Sequence, residues 1–320
     1  MKKICYSFII LSVIAMSCSR FPQAEISNGI IKANIYLPDS KKGYYRGTRF
    51  DWSGNISSLE YNGHDYFGKW FTKYSPEIHD AIMGPVEEFT PLGYTEAKPG
   101  SSFVKIGVGT LTKTDEKQYE FFRLYPFVNM GEWKTNKFPD RIQFIHELDD
   151  KTYSYQYEKN IQLTEGKPEM VLTHTLRNRG TRTIETSVYD HNLFVIDNQR
   201  TGPDFEILFP FNIAGDSIAL GNLAKINDNR IIFLKKLDSD ESAFCENITG
   251  FDTTANDYMI KIKNNKTGAG VIITCDKPLQ ELAFWSCSTT LCPEPYINIK
   301  VDPGEEFSWK ICYEFYTLAK

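Results

Sequence analysis

Helical periodicity is nearly absent from this chain, and that constrains the fold more than any other feature. Short apolar or alternating runs recur instead, at residues 29–37, 103–108, 119–125, 142–146, 153–163, 169–178, 183–188, 230–234, 258–263, 270–275, 279–285, 296–301 and 307–316. Two-residue alternation sends successive side chains to opposite faces of a strand. Turn signals separate the runs: Asn62-Gly63, Asn178-Arg179-Gly180, the stretch from Asn264 to Gly268, and Asp302-Pro303-Gly304. Glycine supplies positive φ, and Asn and Asp bond their own backbone. More than a dozen short strands with almost no helix predict an all-β chain, a large antiparallel β-sandwich. Residues 75–81 fit a single helical turn. No shift in composition marks a second domain, so residues 26–320 are expected to form one unit.

The N-terminus has a different character. Lys2 and Lys3 precede an apolar stretch over residues 8–14, too short to span a bilayer. Ala15-Met16-Ser17-Cys18 follows, which resembles a bacterial lipobox. Residues 1–18 therefore read as a signal peptide, with Cys18 as the lipidated residue and 19–25 as a tether. The expected location is the cell envelope, as a lipid-anchored periplasmic or outer-membrane protein. Ordinary cleavage nearby, giving a soluble exported protein, is the alternative. Five further cysteines, Cys245, Cys275, Cys287, Cys292 and Cys312, are an odd set that cannot pair completely. Buried free thiols are expected, and no zinc spacing is present. A formal net charge of −5 argues against nucleic acid as a partner. Aromatics make up 14% of the chain; most belong in the core, and a minority are expected along a sugar-binding cleft.

The C-terminal third carries a specific pattern. Lys263 through Gly268 lead into Ala269-Gly270-Val271-Ile272-Ile273-Thr274, then Asp276-Lys277-Pro278-Leu279-Gln280 and Leu291-Cys292-Pro293-Glu294-Pro295. Asp302-Pro303-Gly304-Glu305 and a last strand ending Tyr313-Glu314-Phe315 close the chain. In order and spacing this resembles the end of the galactose mutarotase (aldose 1-epimerase) family. The family's catalytic base is the glutamate of the Cys-Leu-Glu-Pro-like loop, which points to Glu294. Asn178-Arg179-Gly180 followed by Tyr189-Asp190-His191-Asn192 is similar to the family segment bearing the histidine acid, which points to His191. Gly47-Thr48-Arg49-Phe50-Asp51 resembles the segment with the substrate-binding arginine, which points to Arg49. Many members also carry a His-Gly-Gly motif. The corresponding stretch, residues 82–89, has no histidine, and His79 lies slightly early.

The resemblance implies a mutarotase-like supersandwich and an isomerase that interconverts sugar anomers without a metal or redox cofactor. A carboxylate and an imidazole suit the two proton transfers, since each can be tuned towards neutral pH. Glu294 is then the base and His191 the acid. Arg49 would hydrogen-bond sugar oxygens through its planar fork. Trp285 would stack on an apolar sugar face, and Glu87 or Glu88 would accept sugar hydroxyls. Asp190 and Asp252 are further substrate-binding candidates. The expected partner is a mono- or oligosaccharide. A carbohydrate-binding lipoprotein without turnover is the second reading, and a lyase or glycosidase a third, by analogy of fold alone.

Overall fold

A computed structural model describes residues 20–215 and 220–318. The predicted signal peptide and Cys18 lie outside the described residues. Numbering strands in chain order, β1 (Gln23–Ser27), β2 (Ile31–Tyr36), β3 (Asn55–Tyr61) and β4 (His64–Phe67) form a four-stranded antiparallel sheet. Its β3–β4 hairpin turns on Asn62 and Gly63, both at positive φ, the geometry that makes Asn-Gly the preferred two-residue turn. A three-stranded sheet holds β6 (Ser102–Lys105), β7 (Gly109–Thr112) and β8 (Phe127–Asn129).

The site-bearing sheet runs in the order β17 (Ser242–Cys245), β20 (Glu281–Cys287), β21 (Thr290–Val301), β13 (Ile184–Leu193) and β5 (Gly84–Phe89). Isolated bridges from Phe194 to Phe67 and to Leu291 join it to the four-stranded sheet. A ten-stranded sheet comprises β9 (Glu132–Lys137), β10 (Arg141–Leu148), β11 (Tyr155–Leu163), β12 (Glu169–Asn178), β14 (Phe205–Leu208), β15 (Ala224–Asn227), β16 (Arg230–Phe233), β18 (Met259–Asn264), β19 (Ala269–Cys275) and β22 (Glu306–Thr317). It is ordered β15-β16-β14-β18-β19-β22-β12-β11-β10-β9. The two large layers share one hydrophobic core containing Phe89, Tyr157, Leu172, Val188, Phe284, Ile297, Trp309 and Tyr313. A second apolar cluster, with Phe50, Trp52, Ile82, Val86, Leu193 and Cys292, packs on the other side of the site-bearing sheet.

Three local expectations change. Residues 119–125 are a turn-bearing loop, not a strand; Phe121, Phe122 and Leu124 are 44%, 56% and 47% exposed. Apolar content imitated a strand there, but no strand among the described residues pairs with it. Residues 75–81 make two successive turns, Ser75 C=O to Ile78 N–H and Ile78 C=O to Ala81 N–H, each 3.1 Å, rather than a helical turn. The stretch taken as a tether is partly structural, because Gln23, Ala24 and Glu25 pair with Tyr36, Ile35 and Asn34. Its alternation was too short to stand out in the sequence. Cys275, Cys287, Cys292 and Cys312 are free thiols; Cys245, Cys275 and Cys292 are buried, and Cys287 and Cys312 half-buried.

Candidate functional site

Antiparallel register builds the site. β13 pairs β21 with Tyr189 opposite Tyr296, and the Phe194–Leu291 bridge keeps the same register beyond it. His191 therefore stands opposite Glu294, and Cys292 lies diagonally on the same face, within reach of a cross-strand contact. The imidazole Nε2 is 3.4 Å from Glu294 Oε1. Its Nδ1 contacts the Cys292 thiol, which fixes the ring with Nε2 towards the carboxylate. On the other side β5 pairs β13 with Glu88 opposite Tyr189 and Val86 opposite His191. Alternation thus sends Glu88, Tyr189, His191, Glu294 and Tyr296 to one face, where they border a cavity of about 670 Å³.

Glu294 was expected on a loop and lies inside β21 instead. Prolines on both sides suggested irregular backbone. The structure accommodates both within the strand, with Pro293 opposite Phe284 and Pro295 opposite Leu282 on β20.

Burial dominates the titration of the pair. It pushes Glu294 up to about 8, against the pull of Arg49. It pushes His191 down to about 3, helped by Arg49 and opposed by Asp80 and Glu88. Desolvation disfavours whichever form is charged, which explains the opposite directions. Burial also raises Glu88, but Arg49 and Lys105 outweigh it and leave this carboxyl below its usual range.

Arg49 borders the cavity, with its fork largely committed. Nε donates to Glu88 (2.7 Å) and Nη2 to the Tyr189 hydroxyl (3.1 Å), while Nη1 donates to Asp80. Tyr189 in turn donates to Glu88 at 2.6 Å. The guanidinium is stacked between Phe50 and Phe121, 4.4 and 4.1 Å from their ring centroids. Arg49 therefore acts first as a clamp on the acidic groups. Trp285 also borders the cavity, edge-on to His191 at 6.1 Å and to Trp70 at 5.4 Å.

Three substrate-binding expectations are corrected. Glu87 and Asp190 alternate to the inner face, where both are fully buried between the layers. Glu87 binds His174 Nε2 at 2.5 Å and also Lys159. Asp190 accepts from the Tyr313 hydroxyl at 3.1 Å. Asp252 is exposed on a loop segment and does not border the cavity. Residues 82–89 supply no imidazole; the strand they form brings Glu88 to the cavity. His79 binds Asp80 at 2.7 Å.

Tyr189, Cys292 and Tyr296 escaped the sequence reading. Each lies two residues from His191 or Glu294, so a strand assignment for Glu294 would have exposed them by period two. Asp80 offered no such signal, because only tertiary structure brings it to Arg49. Among the described residues, His191, Cys292 and Glu294 form one group whose donor atoms all lie within 4.8 Å of one another, a set chemically able to hold a soft divalent cation. Cys292 itself lies behind His191, not on the cavity wall.

This architecture is the galactose mutarotase-like supersandwich. Similar solved structures span nearly the whole chain. A galactose mutarotase-like protein from Lactobacillus casei matches with a TM-score of 0.55 at 12% identity, covering 92% of this chain and all of its own. An aldose epimerase homologue from C. elegans matches at 0.55 and 12%, covering 93% and 100%. A Synechocystis sp. PCC 6803 protein matches at 0.57 and 12%, covering 99% and 100%. No protein-family model and no curated protein sequence matches the chain. At these identities the likeness establishes the fold.

Proposed function

We propose that this protein is a mutarotase that interconverts the anomers of a free aldose through Glu294 and His191. The observation that carries this reading is the imidazole–carboxylate pair, 3.4 Å apart, beside a cavity of a size suited to a small organic ligand. Ring opening needs a proton taken from the anomeric hydroxyl and another delivered to the ring oxygen. Between about pH 3 and about 8 the pair holds one proton. At rest that proton sits on Glu294. Passing it to His191 gives a carboxylate and an imidazolium without changing the protonation state of the site. Burial and Arg49 hold His191 neutral at rest, while Asp80 and Glu88 offset part of that cost when it takes the proton.

Glu294 then takes the anomeric proton while His191 protonates the ring oxygen. The carbonyl end rotates, and the two transfers reverse as the ring closes on the other face. His191 recovers its proton from the ring-forming hydroxyl, and Glu294 returns its own to the former carbonyl oxygen. No proton is consumed. NMR saturation transfer between sugar anomers tests this; exchange no faster than buffer across common hexoses and pentoses would end the reading. Sugar binding without exchange would favour the non-catalytic alternative, which the missing second histidine in residues 82–89 supports.

The envelope location is part of the same proposal and rests on Lys2, Lys3, the apolar residues 8–14 and Cys18. Metabolic labelling with a fatty-acid analogue should mark the wild type and not Cys18→Ala. Equal labelling would remove the anchor.

A further inference from the structure

The cavity exceeds what one sugar ring requires. Its volume of about 670 Å³ falls among sites that enclose drug-sized ligands, and a monosaccharide fills only part of that space. The aromatic groups also extend outward in layers. The His191 ring lies 5.3 Å from Phe50, Phe50 lies 4.4 Å from the Arg49 guanidinium, and Phe121 lies 4.1 Å beyond it. Phe121 is thus separated from the reacting imidazole by two intervening stacked groups. It still borders the cavity and remains 44% exposed, with Phe122 beside it at 56%. The two rings meet edge-on at 5.5 Å and together present apolar surface next to the cavity through Phe121. The Tyr119 hydroxyl, at the start of the same loop, is buried without a hydrogen-bond partner among the described residues, and Tyr119 borders the same cavity.

We propose that the cavity receives the reducing end of a disaccharide or longer glycan. This rests on the mutarotase reading and specifies its substrate. The reducing ring lies over His191 and Glu294. The next ring lays an apolar C–H face on Phe121 and Phe122, beside the Tyr119 side chain that borders the same cavity. That second ring is uncharged, because Arg49 spends its donors on Glu88, Asp80 and Tyr189 and offers no free cation for an acidic sugar.

Anomer exchange of glucose and galactose, measured beside maltose, cellobiose and lactose, tests the proposal. The expected result is kcat/KM about tenfold or more higher for at least one disaccharide, as burial of one further apolar ring face would give. That preference should shrink towards unity in Phe122→Ala. Equal kcat/KM for mono- and disaccharides would overturn the proposal and leave the mutarotase reading intact. If no sugar exchanges faster than buffer, the mutarotase reading fails, and calorimetry with the same sugars decides the subsite. Tighter disaccharide binding that weakens in Phe122→Ala would keep it. Absence of that preference would remove it.

Discussion

The two faces of the β5–β13 strand pair carry nearly the same residue types and use them in opposite ways. Towards the cavity stand Glu88, Tyr189 and His191; towards the interior stand Glu87, Asp190 and Asn192. The inner group is densely paired, although His174 Nδ1 and Asp190 Oδ1 lack a hydrogen-bond partner among the described residues. Glu87 is held by His174 and Lys159, and Tyr313 donates to both Asp190 (3.1 Å) and Asn192 (2.8 Å). Burial raises Glu87, but Lys159 and His174 outweigh it and bring its carboxyl down to about 2. His174 stacks on Trp309 at 4.4 Å, which fixes the imidazole from the other side. The outer pair has the reverse balance. Among the described residues, Glu294 has no cation bonded directly to it except the neighbouring imidazole when protonated, so burial wins and its pKa rises. A buried charge with full partners fixes structure; a buried acid beside a cavity keeps a proton to exchange.

Four experiments break or sharpen this contrast. Glu294→Gln should cost about 10²–10⁴-fold in anomer exchange, the usual contribution of a positioned acid–base group, while thermal unfolding changes little. A variant that keeps wild-type exchange would detach Glu294 from the chemistry. On the inner face, Glu87→Gln removes the carboxylate bonded to Lys159 and leaves it only Asp51, 4.0 Å away; the fold should lose up to about 3 kcal/mol, as urea unfolding would report. Because its folded pKa is depressed, Glu87 stabilises the native state above the ordinary carboxylate range and loses that contribution as pH falls through about 2. Acid sensitivity in that window should diminish in the variant.

The third experiment is the pH profile of exchange, after subtraction of the buffer rate. The pair loses its single proton as pH rises through about 8 and gains a second as pH falls through about 3. kcat/KM should therefore be level between these limits and fall about tenfold per unit above 8. A rise through 8 would assign catalysis to ionised Glu294 beside neutral His191. Smallest is Asp252→Asn. This exposed group away from the cavity should alter stability by no more than about 0.5 kcal/mol and leave exchange unchanged. A clear loss of activity would return Asp252 to the site.

Much of the sandwich was legible because period-two burial is written locally. The run 169–178 coincides with β12, and 307–316 lies within β22. The Asn62-Gly63 and Asp302-Pro303-Gly304 turns fall where positive φ is required, at Asn62, Gly63 and Gly304. The loop at 119–125 deceived because apolar content alone does not supply a pairing partner. Within the site, the placement of Glu294 and His191 followed from family-like motifs, and Arg49 also reached the cavity. Glu87 and Glu88 could not be separated by composition. One residue of register decides which of two adjacent carboxylates meets the cavity.

By itself, the sequence determined the all-β architecture, most strand positions and the residue types available for proton transfer, since these depend on short-range alternation and turn chemistry. Tertiary structure alone decided which face each charged side chain occupies, which cations it meets and how its proton affinity moves. Those properties come from desolvation and from neighbours such as Lys159 and Asp80, distant along the chain from Glu87 and His191.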